Sequence, residues 1–371
     1  MKFGLLYEIQ IPKPWTPGIE RQYYNDVIEQ VVLAEQLGWE HMWAVEHHLL
    51  PQWSHCPAPE VLFGALSQRT SKIRIGHGVA LLPRNFNHPM RVAERTAVLD
   101  ILTNGRVDVG TGRAVTLQEL DGFEVDAATT KEQWYEGIQV LVKAWKEEMF
   151  EFTGKHINIP PSYTVPKPIQ KPHPPLWLAG TNPETFQTAG NHGLGLLGFV
   201  TGKPEDVGTR IAGYKQAIKD PKDPIGEFVN NQASILIQTY CAETREQAFA
   251  EVREAMDVVA RLGAELFLPW AQEPARAPES YKYLTQRPQQ DTRAGQNAAG
   301  QTLEERAADG LIAVGDPDDI SRLFAQYQDL GADQMMTWVQ FGGLPHEKIT
   351  NSMKLLGEHV LPKFGAKALA V

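Results

Sequence analysis

Trp43-Ala44-Val45-Glu46-His47-His48 is a short apolar run that stops abruptly on three ionisable side chains. It follows Gly38, and before Gly38 the apolar residues from Tyr23 to Leu37 recur at helical spacing. The stretch therefore reads as a buried strand entered from a helix. In an α/β barrel the carboxyl ends of the strands carry the chemistry. Glu46, His47 and His48 then stand where a catalytic or cofactor-binding group belongs. The competing reading is a set of polar residues leaving a strand for a loop. Charged groups are rarely buried unless paired, and a Glu-His-His run at a strand end favours function.

Outward from this stretch, strands and helices alternate. Strands are expected at Lys2–Tyr7, up to Glu46, Lys72–Val79, Arg106–Val109, Leu176–Ala179, Gly195–Val200, Gln232–Cys241 and Gln334–Val339. Between them fall helical patterns, among them Pro57–Arg69, His88–Leu102, Lys131–Lys146, Pro183–His192, Lys203–Lys219, Glu243–Leu262 and His346–Leu361. Roughly eight strand–helix units are the signature of a (β/α)₈ TIM barrel. One barrel domain with insertions is expected over residues 1–371. Two segments break the rhythm. Residues 149–171 hold a hairpin-like piece (Phe150, Phe152, Ile157, Ile159) and then a proline-rich connector. Residues 270–301 are rich in Gln, Pro, Ala and charge, and are expected to form a mobile lid with few buried apolar anchors.

Composition narrows the function. The chain has 371 residues, 42% hydrophobic, and a net charge of −10 from 45 acids and 35 bases. That balance argues against nucleic acid or an anionic membrane surface as partner. Cys56 and Cys241 make no disulfide framework. The start Met1-Lys2-Phe3-Gly4-Leu5-Leu6-Tyr7-Glu8 lacks a signal-like apolar region, and no apolar run approaches the ~20 residues of a membrane span. A cytoplasmic protein is expected.

Three strand ends carry glycine or a helix cap. Gly76-His77-Gly78-Val79-Ala80-Leu81-Leu82-Pro83 permits close approach of a ligand, or is a simple bend. Gly110-Thr111-Gly112-Arg113 makes room and adds a planar cation suited to phosphate, without forming a dinucleotide fingerprint. Gly180-Thr181-Asn182-Pro183-Glu184-Thr185 places an N-cap before proline at the first helical position. A helix start of this kind caps itself and is also an anion site.

Together these segments resemble the bacterial luciferase-like flavin monooxygenases. The resemblance runs through Glu46-His47-His48, Gly76–Pro83 with His88-Pro89-x-Arg91, Gly105-Arg106-x-x-x-Gly110-x-x-Arg113 and Thr181-Asn182-Pro183-Glu184-Thr185. It returns at Val314-Gly315-Asp316-Pro317 and from Ser352 to Pro362. It implies a barrel that binds reduced FMN, supplied by a separate flavin reductase, and uses O2 to oxygenate a small hydrophobic substrate through a hydroperoxide on the flavin. A homodimer or heterodimer is implied as well. Carried over by position, His47 is the histidine beside the flavin and Glu46 its acidic neighbour. Gly78-Val79 is the place of a non-proline cis peptide under the ring. Arg113, Asn182 and Thr185 hold the phosphate, with Gly180, Thr181 and Phe199 completing the cofactor site. Gly112 and Thr181 depart from luciferase, which has a cysteine and a glutamate there. Those departures count against light emission, not against flavin binding.

The resemblance also fits a dry site. Trp43, Trp53 and Phe199 are expected to line the barrel mouth, and a neutral His47 to exchange a proton. Two readings compete on the same barrel: a deazaflavin-dependent dehydrogenase and a non-catalytic flavin-binding protein. A metal hydrolase using His47, His48, His55 and Cys56 is disfavoured, because adjacent residues of a strand point to opposite faces. No metal is expected.

Overall fold

The computed structural model describes residues 1–286 and 301–367. Its strands, in chain order, are β1 (Lys2–Tyr7), β2 (His41–Ala44), β3 (Arg74–Leu81), β4 (Val107–Gly112), β5 (Met149–Thr153), β6 (Asn158–Tyr163), β7 (Leu176–Gly180), β8 (Gly195–Phe199), β9 (Ala233–Cys241), β10 (Ala313–Gly315) and β11 (Gln334–Gln340). Eight of them, all parallel, run β1-β2-β3-β4-β7-β8-β9-β11, and β11 returns to β1. This is the closed (β/α)₈ barrel that the alternation of elements predicts. Strands covered by helices outside and by each other inside need apolar residues on both faces. β9 shows this plainly, since all nine of its residues are buried.

The two insertions fall where the sequence rhythm breaks. β5 and β6 form an antiparallel hairpin that buries Phe150, Phe152, Ile157 and Ile159 against the barrel's flank. The second insertion begins later than expected. The helix that follows β9 runs Arg245–Gln272, ten residues beyond Leu262. Leu262, Leu266 and Trp270 are spaced four apart, so the buried stripe continues into the segment read as irregular. Two 3₁₀ turns follow, Pro274–Arg276 and Glu279–Leu284. Trp270, Tyr281 and Leu284 are buried, so the first half of the expected lid has firm apolar anchors. They join Leu50, Leu81, Leu117, Leu120 and Val125 in a small second core beside the barrel mouth. Residues 287–300, and the lid expectation with them, lie outside the described residues.

Two local features shape the mouth. The pairing of β3 with β4 skips from His77 to Ala80, leaving Gly78 and Val79 outside the ladder. Irregularities of this kind at barrel rims re-aim side chains near ligand sites. The Gly78–Val79 peptide is cis. β4 extends to Gly112, past the Val109 expected, because Gly110 lets it approach β3: a Cβ there would lie 2.1 Å from the His77 carbonyl oxygen. No helix among the described residues is long and apolar enough to cross a membrane.

Candidate functional site

A cleft of about 210 Å³ opens at the carboxyl ends of the barrel strands. Ten of the residues singled out from the sequence line it: Glu46, His47, Gly78, Val79, Arg113, Gly180, Thr181, Asn182, Thr185 and Phe199; His48 does not. Trp53 lines it too. Trp43 does not. It sits wholly buried below the strand end, its ring over Gly76 and its Nε1 donating to Gln334 Oε1 at 3.3 Å. Only a glycine fits at 76, where a Cβ would lie 2.3 Å from the Trp43 ring.

One end of the cleft is a cradle for an anion. Asn182 caps the helix Pro183–Asn191, its Oδ1 accepting from the Thr185 N–H at 2.8 Å and from the Thr185 hydroxyl at 2.9 Å. The cap fixes the first turn, and the helix dipole adds partial positive charge there. Gly180 lets that turn close on β7, since a Cβ would fall 2.1 Å from Thr185 Cγ2. Arg113 approaches from the neighbouring strand end. Its Nη1 donates to Thr130 Oγ1 at 3.2 Å and to Ser280 Oγ at 3.4 Å, and its guanidinium lies 5.0 Å from the Tyr281 ring centre. Tyr281 is pinned in turn by its hydroxyl to the Ala114 carbonyl at 3.0 Å. A second cation, Lys131, lines the same end and pairs with Glu184. The sequence reading placed Lys131 only as the start of a helix.

The opposite end is built around His47. Its Nδ1–H donates to Glu119 Oε1 at 2.9 Å, and its Nε2 lies 3.8 Å from Glu8 Oε2. The Nε2–H makes no hydrogen bond among the described residues, so it is available to a ligand. Glu119 is completely buried and tied down: it also accepts from the His48 N–H at 3.0 Å and from the Thr116 hydroxyl at 2.7 Å. Burial opposes charge on His47, but the Glu119 and Glu8 carboxylates outweigh it and bring the imidazole up to about 9. The expected neutral histidine is thus a cation at neutral pH, held by a carboxylate partner. Burial works against the charge of Glu119 as well, yet His47 and the three hydrogen bonds hold its carboxyl below the usual range. Burial pushes Glu8 up to about 7, against the pull of His47.

Glu46 braces the wall. Its Oε2 accepts from the Leu81 N–H at 2.9 Å, and its Oε1 accepts from Asn87 Nδ2 at 2.7 Å and meets His48 Nε2 at 3.0 Å. β2 ends at Ala44, short of the Glu46 expected, and His47 and His48 in the loop beyond it turn to different carboxylates, Glu119 and Glu46. Glu8 and Glu119 were not singled out from the sequence. Glu8 directly follows β1, so the strand-end rule applied to Glu46 would have found it. Glu119 sits in a six-residue helix, Leu117–Gly122, too short to show a periodicity.

Between the two ends the wall is bare. Gly78 and Gly112 carry no side chains, and Val79 fills the space beside Gly112, where a Cβ would lie 2.5 Å from Val79 Cγ2. That contact accounts for a glycine at the position where the resemblance would put a cysteine. Phe199, Leu236, Leu266, Phe267 and Trp338 make the remaining wall apolar. A flat apolar ring with an anionic tail matches this layout: glycines under the ring, cations and a capped helix at the tail. The residues present fit FMN.

Comparison with known proteins agrees with the architecture. Residues 1–334 match the family described as luciferase-like monooxygenases. The oxygenase component of a flavin-dependent trigonelline monooxygenase from Acinetobacter baylyi is 24% identical over 376 residues, spanning 98% of this chain and 96% of its own. An F420-dependent glucose-6-phosphate dehydrogenase from Microbacterium testaceum is 25% identical over 345 residues, 91% of this chain and 93% of its own. Among solved structures, the oxygenating constituent of 3,6-diketocamphane monooxygenase from Pseudomonas putida, in complex with FMN, superposes with a TM-score of 0.76 at 19% identity, covering 98% of each chain.

Proposed function

The chain belongs to the luciferase-like monooxygenases, and from that premise we propose that it is the oxygenase of a two-component system, using reduced FMN from a separate reductase and O2 to oxygenate a small organic substrate. The observation that carries this reading is the joining, in one cleft, of a cationic helix-capped cradle to a protonated histidine across a glycine wall. Reduced FMN, when bound, supplies the electrons that activate oxygen.

The residues of the chain divide the remaining work. Arg113, Lys131 and the first turn of Pro183–Asn191 bind the phosphate, with Asn182 and Thr185 setting the turn. Gly78, Val79, Gly180, Thr181 and Phe199 shape the rest of the cofactor site. His47 holds a proton on Nε2, facing the cleft, and can give it to an oxygen on which negative charge develops. Glu119 fixes the ring by its Nδ1–H and keeps it charged. Glu46 orients the loop that carries His47 through Leu81 and Asn87. Trp53, Leu266, Phe267 and Trp338 exclude water, which protects oxygen chemistry from hydrolytic loss.

The F420-dependent relative supports a second reading, hydride transfer without oxygen on the same barrel. One experiment separates the two. The protein is incubated with a flavin reductase, NADH and a substrate panel under ¹⁸O₂, and the products are read by mass. Monooxygenation adds one labelled oxygen atom to a substrate; products that never carry label overturn it.

A further inference from the structure

Gln238 lines the cleft from β9, is 5% exposed, and both its amide oxygen and its amide nitrogen lack a hydrogen-bond partner among the described residues. Nearly all buried polar side chains are paired, so a buried amide with both atoms unpaired in the wall of a cleft needs an explanation. Its neighbours supply one. Gln238 is the register partner of Trp338 on β11. Trp338 meets Trp53 edge to face at 5.8 Å, and Trp53 and Glu8 line the same cleft. Glu8 Oε2 is likewise buried without a hydrogen-bond partner. A continuous patch thus runs from Gln238 over two tryptophans to Glu8 and His47. In the barrel ring β9 and β11 stand opposite β3 and β4. The patch therefore faces the glycine wall across the cleft, away from Arg113 and Lys131.

We propose that this patch is the substrate subsite and that Gln238 reads a neutral amide-type edge, a hydrogen-bond donor beside an acceptor, on a small apolar ring. The proposal rests on the oxygenase reading and narrows its substrate from hydrophobic molecules in general to lactam-like ones. A carboxamide presents one acceptor and two donors side by side, and only a partner with the reverse order satisfies both atoms at once. A hydrocarbon would leave both atoms stranded, and burying unpaired polar atoms is unfavourable. An anion would meet Glu8 and Glu46, with His47 the cation beside them among the described residues. A cation would pair with Glu8 and the amide oxygen yet leave the amide nitrogen open. Sites built to hydrogen-bond a polar group reject analogues lacking it far more strongly than apolar pockets reject a missing methylene.

The test uses ε-caprolactam, N-methylcaprolactam and cycloheptanone, three ligands with the same ring size and differing in the N–H donor. Binding to the flavin-free protein is measured by calorimetry, so the result does not depend on which cofactor the protein takes. Reduced-FMN affinity is measured separately, and either can fail without the other. Caprolactam is expected to bind at least about tenfold tighter than either analogue, the size of one hydrogen bond lost to a buried group. Gln238→Met, nearly the same shape without the amide, should bring the three ligands within about threefold of one another, a small residual on the same scale. Gln238→Leu, which also lacks donor and acceptor, serves as the second variant if the first melts early. Equal binding of the three ligands to the wild type, no binding of any, or a lactam preference that survives loss of the amide in a folded variant overturns the proposal.

Discussion

Replacing Glu119 by glutamine removes a charge while keeping a shape. The amide oxygen can still accept from His47 Nδ1–H and the His48 N–H, now at 2.9 and 3.0 Å, and the Thr116 hydroxyl can turn to accept from the new NH2. The fold should persist, and the change falls on His47. Glu119 is the largest influence raising that imidazole to about 9, with Glu8 the next. Because its folded value lies above the unfolded one of about 6.5, the pair's stabilisation is fully present below about pH 6.5 and is lost as pH rises through about 9. At pH 7 the variant can escape a buried unpaired cation by releasing the proton. That release costs about two pH units, roughly 3 kcal/mol, which bounds the destabilisation from above. Glu8 remains and retains part of the shift, so a drop of at least about one unit is expected. At pH 8 the wild-type ring is then about 90% protonated, and the variant's half or less. The assay is the ¹³Cε1 resonance of His47 against pH, assigned with His47→Gln, together with urea melts at pH 6 and pH 9.5. The melting deficit of the variant should be larger at pH 6. A variant whose His47 titrates like the wild type, or a wild-type midpoint near 6.5, refutes the reasoning.

Three further outcomes follow from the same geometry. Arg113→Ala should weaken reduced-FMN binding by about 1.5–3 kcal/mol, the worth of hydrogen bonds to a charged group, and an unchanged anaerobic titration would count against the cradle. Gly180→Ala puts a Cβ 2.1 Å from Thr185 Cγ2, so the helix start must shift; FMN affinity should fall while the circular dichroism stays that of the wild type, and undiminished affinity would show that this turn does not touch the phosphate. His47→Ala should bind FMN normally but release more hydrogen peroxide per NADH consumed in the reductase-coupled assay; a wild-type ratio of peroxide to product would leave the histidine a structural role only.

The barrel was legible because covered parallel strands and amphipathic helices write different periods into the chain. Asn182-Pro183 marked a helix start, and Glu46-His47-His48 marked a strand end. What remained hidden has physical causes. β9 is buried along its whole length, so nothing in its pattern shows that Gln238 rather than Thr239 reaches the cleft. Trp43 and Trp53 look alike in sequence, yet one lies beneath the strand end over Gly76 and the other at the mouth. The helix that carries Glu119 is shorter than two turns, too little for an apolar stripe. The protonation of His47 depends on Glu8 and Glu119, which approach it from the end of β1 and from the short helix Leu117–Gly122, a juxtaposition made only by folding. The long helix Arg245–Gln272 runs through Pro269, a residue that ordinarily signals a helix end.

The central claim is that this cleft takes reduced FMN, and an anaerobic competition titration tests it most directly. The protein is titrated with photoreduced FMN and, in parallel, with reduced F420, each followed by fluorescence and repeated on Arg113→Ala. Saturable binding of reduced FMN, weakened by the substitution and undisturbed by F420, is the expected result. Tight binding of F420 with no measurable affinity for reduced FMN would contradict the account and leave hydride transfer as the chemistry of this barrel.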